Sequence, residues 1–283
     1  MKHILLITTR DQGGIIYAVS KILYEFGLNI EKNDEFVDKE RGLFFMRTEI
    51  GEANKKFDRE GVLAGLHDVL GKEASITLKQ AQKKSLLILA TKENHCLGDL
   101  LLRYESGELN AHIQAVIANH DTLANLVERF HIPFHCVSSL EFDQNLDRAA
   151  HEEQIAHIID SYAPDVIALA KYMRILSPAF VARYFGKMIN IHHSFLPAFI
   201  GANPYKQAYQ RGVKIIGATA HFVTQDLDEG PIITQDITKI DHTYSWQDMQ
   251  KAGRDIEKSV FAHALDLVLH DRVFINQNKT IIF

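Results

Sequence analysis

Three short runs in the chain, LLILAT at 86–91, IQAVIA at 113–118 and DVIALA at 165–170, are apolar at almost every position. A strand with one wet face alternates apolar and polar residues, so strands without a polar side belong to a sheet covered on both faces. Between and around these runs, apolar residues recur with helical spacing near 97–104, 122–130 and 149–162, and FHCV at 134–137 adds a further strand. Strands alternating with helices predict a Rossmann-like, mostly parallel sheet whose ligands sit beyond the carboxyl ends of its strands.

The first part of the chain has a different rhythm. A strand at 2–9 runs into the turn Asp11-Gln-Gly-Gly14, and Ile15, Ala18, Val19, Ile22 and Phe26 then fall on one helical face that ends at Gly27. Strands at 29–38 and 43–50 flank a turn at Arg41-Gly42, a helix follows with Val62, Leu66, Val69 and Leu70, and 74–79 closes a β-α-β-β-α-β series. With Asp11 and Gly14 at its first turn, this segment resembles the ACT domain, a small ferredoxin-like regulatory unit. That resemblance implies an amino-acid effector near Asp11 and Gly14, and pairing into a homodimer or homotetramer. A plainer alternative is that Asp11 only caps the helix and the glycines only permit the turn. The polar stretch Gln80-Ala-Gln-Lys-Lys84 reads as a linker, which divides the 283 residues into domains at 1–83 and 84–283.

Composition narrows the function classes. The formal charge of −5 provides no basic footprint for nucleic acid and no polybasic membrane anchor, so a small-molecule partner is expected. Cys96 and Cys136 are too few for a disulfide framework and lack the paired spacing of a zinc site. The apolar run after Met1 is shorter than a signal-peptide core, and no stretch approaches a membrane span, so a cytoplasmic protein is expected. Lys92-Glu-Asn-His-Cys96 follows the first strand of the second domain where a glycine-rich phosphate turn would stand, which disfavours a dinucleotide or ATP site. Near the C-terminus, Ser245-Trp-Gln-Asp248 has the form of a capping box, and Trp246, Met249, Ile256 and Val260 form the apolar stripe of the helix that follows.

Chemistry concentrates at 187–194, KMINIHHS, where an apolar strand ends in Asn190, His192, His193 and Ser194. Alternation along a strand puts Met188, Asn190 and His192 on one side and Ile189, Ile191 and His193 on the other. An amide and an imidazole on the same side can both donate to a developing oxyanion. Downstream, the segment from His221 to Pro231 is a strand breaking into an acidic loop, and a carboxylate from it could serve as general base. Spacing does not choose among Asp226, Asp228 and Glu229. No H-x-x-x-H or H-E-x-x-H spacing occurs, and His192 and His193 in an extended strand should diverge, so no metal site is expected.

NIHHSFLP at 190–197 and GATAHFVTQDLDEGP at 217–231, together with ALAKYMRILSPAFV and MQKAGRDIEKSV, resemble the folate-dependent formyltransferases. With the ACT-like segment in front, the chain is similar over nearly its full length to the formyltetrahydrofolate deformylase family. The resemblance implies catalytic roles for Asn190, His192 and Asp228, which resolves the choice of carboxylate. It further implies a folate pocket at the Met173-Arg174-Ile-Leu176 segment and the loop from Thr224 to Asp228; beside it, Gly201 is a candidate contact, His193 and Ser194 could bind the water or tie down the turn before Leu196-Pro197, and His221 could brace the trio. The implied reaction is hydrolysis of 10-formyltetrahydrofolate to tetrahydrofolate and formate, with folate as substrate and no cofactor. The related glycinamide ribonucleotide transformylases carry a small-residue, phosphate-cradling turn where this chain has the bulky Lys92–Cys96 segment, so water is the expected acceptor. His95 and His120 could line the acceptor side, or be ordinary surface or packing residues.

Overall fold

The computed structural model describes residues 2–52, 58–138, 148–197 and 204–283. They form two compact units, one of Met1–Gln82 with Ile281–Phe283 and one of Lys83–Thr280.

In the first unit, β1 (Lys2–Arg10), α1 (Ile15–Glu25), β2 (Leu28–Asp38), β3 (Leu43–Glu52), α2 (Arg59–Leu70) and β4 (Ser75–Gln80) follow the ferredoxin-like order. The sheet runs β2-β3-β1-β4, with β1 antiparallel to both neighbours. Leu5, Ile7 and Met46 from the strands meet Val19, Leu23, Val62 and Leu66 from the helices in one core. Val69 is exposed, so the inward face of α2 is Val62, Leu66 and Leu70, at the four-residue spacing of one stripe. Gly14 at φ +89° is the N-cap of α1 and no side chain caps it, so Asp11 is not a helix cap. Asp11 is instead held by its backbone N–H, which donates to the Gly42 carbonyl at 2.8 Å.

The second unit contains β5 (Lys84–Ala90), α3 (His95–Glu105), β6 (Ala111–Ala118), α4 (Ala124–Glu128), β7 (Phe134–Cys136), α5 (Arg148–Tyr162), β8 (Val166–Ala170), α6 (Pro178–Arg183), β9 (Met188–His192), α7 (Pro204–Arg211), β10 (Ile215–Phe222), β11 (Ile232–Lys239), α8 (Trp246–Leu269) and β12 (Val273–Asn276), and β13 (Lys279–Ile282) starts at its end. Its sheet has the order β11-β10-β9-β8-β5-β6-β7. The strands from β9 to β7 are parallel, and β10 and β11 are antiparallel additions. The expected α/β, mostly parallel architecture is therefore present. Leu87, Leu89, Ile167 and Leu169 pack into a core with α5 and α6, whereas Leu86, Ile88, Val116 and Ala168 pack into another with α3 and α8. Burial on both sides is the physical reason these strands carry almost no polar residue.

The chain enters at β5, goes outward through β6 and β7, and returns through β8 to the other side, so the strand order reverses between β5 and β8. Helix α8 begins with the expected capping box, Ser245 and Asp248 each accepting from the other's backbone N–H. Trp246 is exposed, and the buried stripe of α8 includes Met249, Gly253, Ile256, Glu257 and Val260. No described helix is long and apolar enough to cross a membrane.

Candidate active site

Strand β9 sorts its residues between two cores. Met188 joins the cluster that contains Leu87 and Leu169, and Ile189 and Ile191 join the cluster of Ile88 and Val260. Asn190 and His192 share Met188's side by alternation and open onto a common cavity. The strand stops at His192, and the following turn brings the His193 ring onto the His192 ring, with centroids 5.1 Å apart and planes at 22°. The two rings stack and do not diverge, because extended geometry ends one residue earlier than the sequence pattern suggests.

The acidic loop returns to the same place. β10 runs antiparallel to β9, with His221 opposite Asn190 and Thr219 opposite His192. Beyond Phe222 the chain leaves the sheet and comes back so tightly that a Cβ on Gly230 would lie 1.8 Å from the Phe222 carbonyl oxygen. Only glycine permits that approach. On this return Asp228 takes φ +57°, a left-handed conformation that costs a non-glycine residue roughly 1–2 kcal/mol. Strain of this kind persists where the surroundings enforce it, and it clusters at functional sites.

Asp228 Oδ2 lies 3.2 Å from His192 Nδ1, and Oδ1 lies 3.6 Å from His221 Nε2. Burial pushes the Asp228 carboxyl up, but the bonds from His192 and His221 outweigh it and hold it well below the ordinary carboxylate range. His221 Nδ1 donates to the Phe222 carbonyl at 2.9 Å. The Asn190 side-chain nitrogen lies 3.3 Å from His221 Nε2. His192 Nε2 is buried and has no partner among the described residues. A buried polar atom without a partner costs about 1–3 kcal/mol, which a hydrogen bond from this nitrogen to a ligand would recover.

The cavity measures about 380 Å³, within the range of small-molecule sites. Met173, Arg174, Leu176, Asn190, His192, His193, His221, Thr224 and Asp228 all line it, and so do Asp226 and Leu227. Ser194 does not; its carbonyl accepts from Thr219 Oγ1 at 2.9 Å, and it borders a separate apolar cavity of about 160 Å³. Gly201 lies outside the described residues. The wall at 173–177 is held from behind by α5. Arg148 Nη2 donates to the Ile175 carbonyl at 2.6 Å, and Glu152 accepts from the Ser177 backbone N–H at 2.8 Å and from the Ser177 hydroxyl. Met173 N–H donates to Thr91 Oγ1 at 3.0 Å, tying the same wall to the residue after β5.

A second polar cluster was not foreseen. Glu257, 1 % exposed on α8, accepts from Tyr205 Oη at 2.6 Å and His95 Nε2 at 2.7 Å, and pairs with Lys171 Nζ at 3.2 Å. Burial pushes the Glu257 carboxyl up, and the His95 bond, the Lys171 charge and the Tyr205 bond outweigh it, leaving it at about 2. His193 is pushed down to about 4, first by burial and then by the Lys171 ammonium. His95, Cys96 and Glu257 place ligand atoms within 4.8 Å of one another. Lys171 already neutralises that carboxylate and burial pushes the Cys96 thiol up, so the cluster is built as an ion pair network and not as a cation seat. The signal for Glu257 was present in the sequence, since position 257 shares a helical face with Met249, Gly253, Ile256 and Val260.

The model of the formyl transferase family matches residues 84–265, the portion that contains both clusters. The formyltetrahydrofolate deformylase of Haemophilus influenzae is 53% identical over 281 residues, covering 99% of each chain. The crystal structure of a formyltetrahydrofolate deformylase from Pseudomonas syringae pv. tomato superimposes with a TM-score of 0.92 at 40% identity, covering 100% of this chain and 95% of that one. The glycinamide ribonucleotide transformylase 1 of Symbiobacterium toebii gives a TM-score of 0.68 at 25% identity, covering 72% of this chain and 96% of its own. The likeness to transformylases is thus confined to part of the chain, and likeness to deformylases extends over both units. This chain belongs to the formyltetrahydrofolate deformylase family.

Proposed function

We infer that the protein hydrolyses 10-formyltetrahydrofolate to tetrahydrofolate and formate, with Asn190, His192 and Asp228 as its catalytic residues. The observation that carries this reading is the buried His192 Nε2, without a partner among the described residues, facing a cavity of about 380 Å³, with the Asp228 carboxylate on the ring's other nitrogen. In that arrangement Asp228 orients a water and takes its proton as the oxygen attacks the formyl carbon. The oxyanion is received by an Asn190 N–H and by His192 through Nε2, with the Asp228 carboxylate on the ring's other nitrogen. When the bond from carbon to N10 breaks, Asp228 returns the proton to that nitrogen, and the second product leaves as formate. A carboxylate held low is ionised at any physiological pH and so can accept a hydrogen bond from the attacking water.

The three side chains supply base and donors without a resident cofactor, and folate enters as substrate. The segment Met173–Leu176 and Thr224 would meet the pterin. The first unit would accept a small amino acid near Asp11 and Gly14 and pair with a second copy; unchanged kinetics across the amino acids would refute the effector. The deformylase reading is tested by mixing the purified protein with 10-formyltetrahydrofolate and no amine. Formate and tetrahydrofolate should appear in equal amounts, and consumption of folate without formate would overturn it.

A further inference from the structure

In an open parallel sheet, ligands occupy the crevice outside the carboxyl ends of the strands where the order reverses. Here that place lies between β5 and β8. His95 opens α3 just beyond β5, and Lys171 is the residue that follows β8. Both are turned onto Glu257. Lys171 is 7 % exposed and adopts φ +60°, a left-handed conformation unusual for a lysine, which directs a long cationic side chain inward where a strand end would ordinarily leave an opening. Tyr205 completes the cluster from α7 and tilts against His193 with ring centroids 6.2 Å apart, and His193 in turn stacks on His192. The cluster therefore abuts the catalytic imidazole through one intervening ring, and Lys171 lines the same cavity as Asn190, His192 and Asp228.

We propose that Glu257, Lys171, His95 and Tyr205 form the acceptor-selecting element, a buried plug in the switch-point crevice that denies a second, amine-bearing substrate its seat and leaves water as the formyl acceptor. The proposal rests on the deformylase reading and names the residues that make the reaction a hydrolysis. Charge complementarity within the cluster keeps it closed: each end of the Lys171–Glu257 pair would be a buried, unpaired charge without the other. Were the crevice open, an amine nitrogen could attack the formyl carbon in place of water. The bond to N10 would break as before, the amine's proton would pass by way of Asp228 to N10, and the products would be tetrahydrofolate and an N-formyl amine.

Glycinamide serves as the probe amine, and formate, N-formylglycinamide and tetrahydrofolate are quantified together. In the wild-type protein, formate should equal tetrahydrofolate at every glycinamide concentration, and N-formylglycinamide from the wild type would overturn the proposal. The double variant Lys171→Ala with Glu257→Ala removes both charges at once and opens the crevice. Formate per tetrahydrofolate should fall as glycinamide rises, with N-formylglycinamide making up the loss. The volume-conserving pair Lys171→Met with Glu257→Gln should keep the wild-type ratio, which separates filling of the crevice from its charge; loss of formate in this pair would refute the steric plug. Should the alanine pair not fold, His95→Gly, which leaves the ion pair intact, reads the same ratio. A folded, active alanine pair or His95→Gly variant that releases formate quantitatively at all glycinamide concentrations would sink the idea. A wild type that yields no formate even without amine refutes the deformylase reading itself, whatever the amine experiments show.

Discussion

Replacing Gly253 with alanine sets two effects of opposite sign against each other. Gly253 is in the interior of α8, where alanine is ordinarily better than glycine by about 1 kcal/mol. A Cβ there would lie 2.1 Å from Tyr205 Oη, 2.3 Å from Cζ and 2.4 Å from Cε1. Tyr205 is buried, so its ring must move, and the hydrogen bond to Glu257 breaks with it. Overpacking costs about 1–3 kcal/mol and the loss of a bond to a charged partner about 1.5–3 kcal/mol, so a net loss of about 1.5–5 kcal/mol is expected after the helical gain. For a unit of this size that lowers the melting temperature by about 3–20 °C, measurable by calorimetry or by circular dichroism. The control is Gly98 in α3, where an added Cβ meets nothing within 4 Å. Gly98→Ala should leave the melting temperature unchanged or slightly raised. A Gly253→Ala protein that melts with or above the wild type would refute the close packing of Tyr205 on α8 and the cluster built upon it.

Asn190→Ala removes one oxyanion donor and should lower kcat by about 10²–10³-fold in steady-state assays while the fold is retained. Glu152→Ala frees the wall at 173–177 and should raise KM for the folate several-fold with kcat little changed, with Glu152→Gln restoring part of the binding. Acid should destabilise the protein in two stages. His193, at about 4 against an ordinary 6.5, binds its proton more readily in the unfolded chain, so its contribution of about 3 kcal/mol is complete above pH 6.5 and is lost as the pH falls to 4. Glu257, at about 2 against 4.5, contributes a similar amount that is complete above pH 4.5 and is lost towards pH 2. Denaturant titrations between pH 7.5 and 3 read both windows. A flat profile from pH 7 to 5, or an unaltered one in His193→Phe, would contradict the first.

Strand chemistry made part of the site readable in advance. Runs such as LLILAT and DVIALA declare a doubly covered sheet because nothing polar interrupts them, and β5 and β8 are buried as that requires. Alternation likewise placed Asn190 and His192 together. Asp226, Asp228 and Glu229 were not separable by spacing. The loop's path depends on Gly230 pressing against the Phe222 carbonyl and on the left-handed turn at Asp228, and neither leaves a periodic trace. The stacking of His192 and His193 was misjudged because alternation holds only inside a strand, and β9 ends at His192. Glu257 and Lys171 escaped notice for a different reason. Lys171 follows an apolar strand but Glu257 stands among the charged residues Arg254, Asp255 and Lys258, and their meeting is a contact between residues far apart in the chain.

The account stands or falls on a water molecule activated by Asp228 at the formyl carbon. Turnover of 10-formyltetrahydrofolate in ¹⁸O-enriched water, with the formate analysed by mass, reads that step directly. The wild type should release formate carrying a single solvent oxygen, and Asp228→Asn should bind the folate as before yet turn over about 10²–10⁴-fold more slowly. Formate free of label, or an Asp228→Asn variant as fast as the wild type, would contradict it.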